Sequence, residues 1–335
     1  MSTQYYKAND TLSEKFREMP PQLVSAVIPT RNRPELVLRA VRSALSQTHE
    51  NLEVVVVIDG PDSATRARLE GIGDSRLRVL ELDKSVGGSS ARNRGVEHAT
   101  GEWVAFLDDD DEWLPEKIEK QLDVALSSSS LVPIVSCYFI GRTPRGDYVW
   151  PRRVPRLHEP LCEYLFMRRS IFFGETQLQT SLTFARRQLF QEVPFTEGLR
   201  RHQDTDWYLR VAGLEGVKVE FVHEPLAIWY LGDHRPRITA HNNWRDSLDW
   251  LRSRQDLITP RAYAGFVATQ LGPEAAQQGD WRAFFPLLRE AVAVGKCHPF
   301  DILLYLGLWF TPVALRRNLR AMVRWFSRDR IENAA

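Results

Sequence analysis

Strand-like and helix-like segments alternate four times over residues 1–126, and that alternation constrains the chain more than any other feature. The runs "LVSAVI" (23–28), "LEVVVVI" (52–58), "LRVLEL" (77–82) and "WVAFL" (103–107) are short and largely apolar. Between them, apolar residues recur at helical spacing over Pro34–Gln47, helices are expected over about Ser63–Leu69 and Ser90–His98, and a fourth helix opens at Pro115 and runs through Leu126. Pro34 suits a first helical turn. The pattern predicts an α/β fold, a doubly wound and mostly parallel sheet with helices on both faces. The continuous β-branched run at 52–58 fits a strand covered on both sides. Such sheets bind ligands outside the carboxyl ends of their strands. Four polar clusters fall at those ends: Thr30–Arg33, Asp59, Gly87–Asn93 and Asp108–Asp111.

At 335 residues the chain exceeds the usual size of one compact domain. Residues 131–235 mix strand-like pieces ("LVPIVSCYFI", "KVEFV", "LAIWYL") with helices at Arg187–Val193 and Asp206–Ala212, and from 240 onward the pattern is helical. The expected organisation is a polar segment at 1–20, a ligand-binding half at 21–130, a second half at 131–239 and a helical C-terminal region at 240–335. A net charge of +1 gives no global sign of a polyanion-binding surface, so no nucleic-acid partner is expected. Cys137, Cys162 and Cys297 lie far apart and form no CxxC pair, which argues against a zinc site or disulfide framework and suits a reducing compartment. The N-terminus is polar and lacks the apolar core of a secretory signal, so a cytoplasmic protein is expected. The apolar stretch Phe300–Leu315 is short for a membrane crossing and carries Asp301 and Pro312; it reads as a buried or interfacial helix. The last helix, "ALRRNLRAMVRWFSRDR", groups Leu315, Leu319, Met322, Val323 and Phe326 near one face and arginines on the remainder. Such a helix either lies on the inner face of a membrane as a peripheral contact or packs on its own domain with a solvated basic face.

The four aspartates Asp108–Asp111 follow a buried strand, where mutual repulsion is costly without a positive partner. Carboxylates at a strand end hold a divalent cation, and Mg²⁺ typically bridges one or two of them to substrate phosphates. A cap for the next helix needs only one or two acidic groups. In "DKSVGGSSARNRGVEHATG", Gly87-Gly88 forms a turn before a helix whose N–H groups, with Arg92 and Arg94, suit a phosphate. On its own a Gly-Gly turn is only a turn. Asp59 either accepts hydrogen bonds from a base or ribose or simply starts the turn with Gly60 and Pro61. The "TRNR" segment either lines a ligand or caps the helix at Pro34.

Together, "VIPTRNRPELVLRAVRSALSQT", "VVVVIDGPDS" and "GGSSARNRGVEHATGEWVAFLDDDDEWLPEKIEKQL" resemble a family 2, GT-A-fold nucleotide-sugar glycosyltransferase over residues 1–126. The resemblance implies a hexosyltransferase-type enzyme with a nucleotide-diphosphate sugar donor, a glycan or lipid-linked glycan acceptor, and Mn²⁺ or Mg²⁺ as cofactor. It makes Asp108 and Asp110 the DXD pair, with Asp110 the metal ligand and Asp109 near the ribose. It sets Asp59 against the nucleobase, Arg92 on the base or phosphate side, and Thr30, Arg31 and Arg33 along the nucleotide pocket. "DGPDS" stands where the family often has "DDGS", which leaves the base open. Further on, "RRHQDTDWYLRVAG" resembles the family's ED-x-D stretch with Gln203 in place of the Glu. The matching base is Asp204, whose plainer reading is a helix cap; Asp206 and Arg210 would support it. His234 matches a histidine that completes the metal or diphosphate site. The resemblance further implies single displacement with inversion, in envelope polysaccharide assembly. A haloacid-dehalogenase-type phosphohydrolase also carries DxD after an apolar strand, but on its first strand. A non-catalytic nucleotide-sugar binder would need a degenerate site.

Overall fold

The computed structural model describes residues 22–144, 146–170, 174–231 and 243–311. The four expected strands form as β1 (Val24–Thr30), β2 (Leu52–Ile58), β3 (Leu77–Glu81) and β4 (Trp103–Phe106). They are separated by α1 (Pro34–Leu45), α2 (Ser63–Glu70) and α3 (Gly88–His98). All seven residues of β2 are buried: its β-branched run is covered on both faces, and Glu53 is buried with Ser25, Thr100 and Arg78 as donors. Each fully buried Val or Ile there contributes about 1.5–3 kcal/mol relative to exposure.

Five further strands complete the sheet: β5 (Asp111–Trp113), β6 (Val132–Thr143), β7 (Gly146–Trp150), β8 (Phe184–Arg186) and β9 (Val217–Tyr230). The nine-stranded order is β3-β2-β1-β4-β8-β6-β9-β5, with β7 paired to β6. Strands β1–β4 run parallel, with Val24 opposite Leu52 and Trp103. Strand β8 runs antiparallel between β4 and β6, and β9 returns parallel to β6. The pieces "KVEFV" and "LAIWYL" belong to the single strand β9, whose register against β6 shifts near Cys137 and Tyr138. The sheet is therefore mixed but dominated by one strand direction, with helices packed on it.

Helix α3 lies unusually close to the sheet. A Cβ on Gly95 would stand 2.3 Å from Val27 Cγ1 and 3.2 Å from Val57 Cγ2, so only glycine permits the approach. The start of this helix then falls beside the carboxyl ends of β1, β2 and β4. After β4, helix α4 (Lys117–Ser127) begins one residue beyond Glu116. Asp111 does not cap that helix: it opens β5, is buried, and accepts a 2.5 Å hydrogen bond from Ser181 Oγ. The strand pairing Asp111–Trp113 with Ala227–Trp229 outcompetes the cap.

Contacts divide the chain into two units: the described residues of Met1–Pro151 with Leu178–Arg235, and those of Arg152–Gln177 with Pro236–Ala335. Beside the sheet, the first unit holds α6 (Arg187–Glu192) and α7 (Gln203–Val211). The second contains α5 (Leu161–Phe166), α8 (Trp244–Ser253), α9 (Pro260–Phe266), α10 (Gly272–Gln277), α11 (Phe284–Val294) and α12 (Pro299–Phe310). Residues 152–177 thus join the helical unit, where the Tyr164 hydroxyl donates to Arg153 O at 3.0 Å and Phe166 packs edge-on against Phe266. Between α9 and α10 the chain widens into a π-turn over Val267–Leu271, just before Pro273, which has no N–H to continue the regular ladder. Among the described residues, no helix is long and apolar enough to cross a membrane. The basic segment at 315–330 lies outside the described residues.

Candidate active site

The carboxyl ends of β1, β2 and β4 bring Thr30–Arg33, Asp59 and Asp108–Asp111 to one rim. At the end of β1, Thr30 Oγ1 donates to Asp109 Oδ2 at 2.7 Å, and Arg33 donates to Asp109 Oδ1 at 2.9 Å and to Asp110 Oδ2 at 3.3 Å. Arg39, its guanidinium 3.8 Å from the centre of the Tyr230 ring, donates to the Asp110 carbonyl at 2.7 Å. Asp109 is buried, and burial pushes its pKa up to about 6, opposed by Arg33 and reinforced by Asp110. Its carboxylate is committed to Thr30 and Arg33. Asp110 is the most open of the cluster, with 41% of its side chain exposed, and Asp108 follows at 34%.

At the end of β2, the Asp59 carboxylate gathers the loop that leads into α3. It accepts from Val86 N at 2.6 Å, from Gly87 N at 3.1 Å and from Ser85 Oγ at 2.8 Å. Arg31 donates to that same Ser85 hydroxyl at 2.6 Å, so Arg31, Ser85 and Asp59 form a relay. Gly60 makes the turn possible: its φ is +101°, and a Cβ there would meet Ser85 N at 2.9 Å.

Arg92, on the second turn of α3, joins this rim to the distant ED-x-D-like stretch. Its guanidinium pairs with Asp108 and donates to Gln203 Oε1 at 2.8 Å. The buried Nε–H finds no acceptor among the described residues. Gln203 in turn donates to Leu199 O at 2.6 Å. Asp204, in the first turn of α7, accepts from Thr205 N at 2.7 Å and is partly buried. Burial raises its pKa; Arg92 opposes the rise and Asp108 adds to it. The cap position belongs to His202, in left-handed conformation at φ +61°, so Asp204 is not the N-cap. Asp206 is fully buried, accepts from Thr196 Oγ1 at 2.6 Å and pairs with Arg210 at 2.9 Å, anchoring the helix start.

Thr30, Arg31, Arg33, Asp59, Arg92, Asp108, Asp109, Asp110 and Asp204 are therefore linked through the rim by hydrogen bonds, ion pairs or charge. His234 lies outside the described residues. Among the described residues no three His, Cys, Asp or Glu side chains are grouped to hold a metal ion alone. The open carboxylates of Asp108 and Asp110 are hard oxygen donors, which fit Mg²⁺ or Mn²⁺ completing its shell with substrate phosphates and water. The unpaired Arg92 Nε–H fits an anionic oxygen beside them. Sequence reasoning missed Ser181, which accepts from Asp108 N at 3.0 Å while donating to Asp111. It also missed Ser85 and Arg39. No spacing rule marks a serine or arginine that acts through a folded loop.

The model of the family described as "Glycosyl transferase family 2" matches residues 25–193. The chain is 28% identical over 254 residues to the amylovoran biosynthesis glycosyltransferase AmsB of Erwinia amylovora, covering 71% of this chain and 82% of that one. It is 33% identical over 111 residues to the Escherichia coli protein WfgD, named UDP-Glc:alpha-D-GlcNAc-diphosphoundecaprenol beta-1,3-glucosyltransferase. That match covers 33% of this chain and 44% of WfgD, less than half of the relative's length. Among solved structures, the S. aureus TarS 1-349 complex with UDP-GlcNAc superimposes with a TM-score of 0.55 at 16% identity, covering 86% of this chain and 90% of that one. At that identity the likeness is one of fold.

Proposed function

The chain belongs to glycosyl transferase family 2, and on that premise we propose that it moves a sugar from a nucleotide-diphosphate donor to a hydroxyl of a glycan or lipid-linked glycan, inverting the anomeric centre with Asp204 as base. The observation that carries this reading is Arg92. Its guanidinium holds Asp108 at the end of β4 and Gln203, the neighbour of Asp204, in one hydrogen-bonded arrangement, although 111 positions separate Arg92 from Gln203. Donor diphosphate and acceptor base therefore share one rim.

Asp108 and Asp110 would hold a divalent cation, which when bound supplies charge neutralisation to the diphosphate. The chain's own groups do the rest. Arg92, with a buried donor to spare, binds departing diphosphate oxygens and stabilises charge as it develops. Asp59, with Arg31 and Ser85, fixes the Ser85–Gly87 loop against which the nucleoside lies, while Thr30 and Arg33 hold Asp109 at the pocket wall. Asp204, whose pKa burial raises, takes the proton of the acceptor hydroxyl as that oxygen attacks the anomeric carbon. His234 would complete the diphosphate site.

The names of AmsB and WfgD support an acceptor in envelope polysaccharide assembly, and the diphosphoundecaprenol acceptor and β-linkage in WfgD's name support a lipid-linked glycan and inversion. The protein then works in the cytoplasm, peripheral to the inner membrane face. The decisive variant is Asp204→Asn. It retains donor binding, measured by thermal shift with nucleotide sugar and Mn²⁺, and loses transfer by at least about a hundredfold. Transfer at the wild-type rate would overturn the assignment.

A further inference from the structure

Helix α12 carries aromatic or aliphatic side chains on both its inner and its outer side. Asp301, Tyr305 and Trp309 are buried, while Leu303, Leu306, Gly307 and Phe310 recur at helical spacing on the opposite surface. Leu303 is 66% exposed and Phe310 64%. On α11, Phe285 is 76% exposed and shares its outward face with Arg289 and Val292. Aromatic rings join the two helices into one surface: Trp281 lies 6.0 Å from Phe310, and Phe284 lies 5.6 Å from Phe310 and 5.0 Å from Phe285. Scattered apolar residues are ordinary on a surface, but a contiguous patch of large ones marks a contact.

Along the segment that builds this patch the exposed charge has one sign. From Trp281 to Thr311 the exposed charged side chains are Arg282, Arg289 and Lys296. Glu290 is turned to Arg252 at 2.9 Å and to Tyr263 at 2.7 Å, and Asp301 is buried in the capping box of α12. From Thr311 the chain continues directly into residues 312–335, whose sequence holds Arg316, Arg317, Arg320, Arg324, Arg328 and Arg330 against only Asp329 and Glu332. A second copy docked on this face by two-fold symmetry would bring the same positive charges together. An anionic lipid surface opposes none of them and accepts the apolar residues as well. At 12 residues α12 reaches roughly 18 Å, well short of the ~30 Å hydrocarbon core. It suits a helix lying in the interface rather than crossing it.

We propose that the outer face of α11 and α12 is a membrane-docking surface, inserting Phe285, Leu303, Leu306 and Phe310 into the interface of an anionic bilayer. This deepens the lipid-linked acceptor reading and rests on it for its purpose, since a lipid-linked glycan is met only at such a surface. The binding itself does not depend on sugar transfer.

The test sediments the full chain with vesicles of phosphatidylcholine alone or with about one-third phosphatidylglycerol. Wild-type protein partitions onto the anionic vesicles and less onto the neutral ones. The variant F285S/L303S/F310S loses at least about tenfold of that partitioning, while keeping slow metal-dependent hydrolysis of a donor sugar and the wild-type mass in light scattering. Phe310→Glu alone shifts partitioning in the same direction with less change to the surface. The proposal is overturned if the variants partition as the wild type does, or if the wild type ignores anionic vesicles. It is equally overturned if the wild type self-associates and the variant is monomeric, which would give the face to a second copy. Loss of donor hydrolysis in the wild type would sink the transferase reading instead, and leaves the vesicle result legible.

Discussion

Asp204 sits between two opposing influences, and its titration reports which one dominates. Burial and the neighbouring Asp108 favour its neutral form, while Arg92 favours the charged one, and the balance raises its pKa. A base acts only when deprotonated, so a raised pKa moves the loss of activity on acidification to higher pH. The acid limb of the kcat/KM profile is therefore expected above the ~3.9 of an unperturbed aspartate. A limb at or below that value would show that another group serves as base or that Arg92 governs the site. The four aspartates divide along similar physical lines. Asp109 is held by Thr30 and Arg33, Asp111 is locked by Ser181, and Asp108 and Asp110 keep the most open carboxylates. The acidic run was visible in the sequence, but this division was not, because it depends on a serine about seventy positions away.

Helix α3 shows how an element positions chemistry it does not perform. Gly95 lets it rest against Val27 and Val57, which sets Arg92 one turn earlier beside Asp108. Replacing Gly95 with Leu inserts a side chain where even a Cβ meets Val27 at 2.3 Å. The cost is at least about 2 kcal/mol of stability, measured by denaturant unfolding, and donor affinity falls with it. A variant as stable as the wild type would mean the helix can stand off the sheet without consequence. The first four strands were legible because β-branched runs alternated with helical spacing, but burial of all seven residues of β2 was not, since Glu53 is buried only with Ser25, Thr100 and Arg78 as partners. Strand β5 was not legible. Its three residues, Asp111–Trp113, carry two acidic groups, and only pairing with β9 makes them a strand. The start of α7 was misplaced for a related reason: His202 takes a left-handed conformation that no spacing rule anticipates, moving the first turn back to include Gln203 and Asp204.

At the scale of the whole chain, the division into two units means that ligand energy need not be shared evenly. All nine strands and the residues of the rim belong to the first unit, while α5 and α8–α12 belong to the second. A nucleotide that binds only the folded first unit stabilises it by about 2.7 kcal/mol at a hundred times its Kd. Amide exchange in β1, β2 and β4, which opens through unfolding of that unit, should therefore slow by roughly a hundredfold on saturation with donor nucleotide and Mn²⁺. Amides of α8–α12 should slow much less, because no rim residue lies on those helices. Equal protection of both sets would show that the chain unfolds as a single cooperative body. Protection confined to α8–α12 would move the nucleotide away from the carboxyl ends of β1, β2 and β4, and with it the whole assignment of Asp108, Asp110 and Arg92 to the diphosphate.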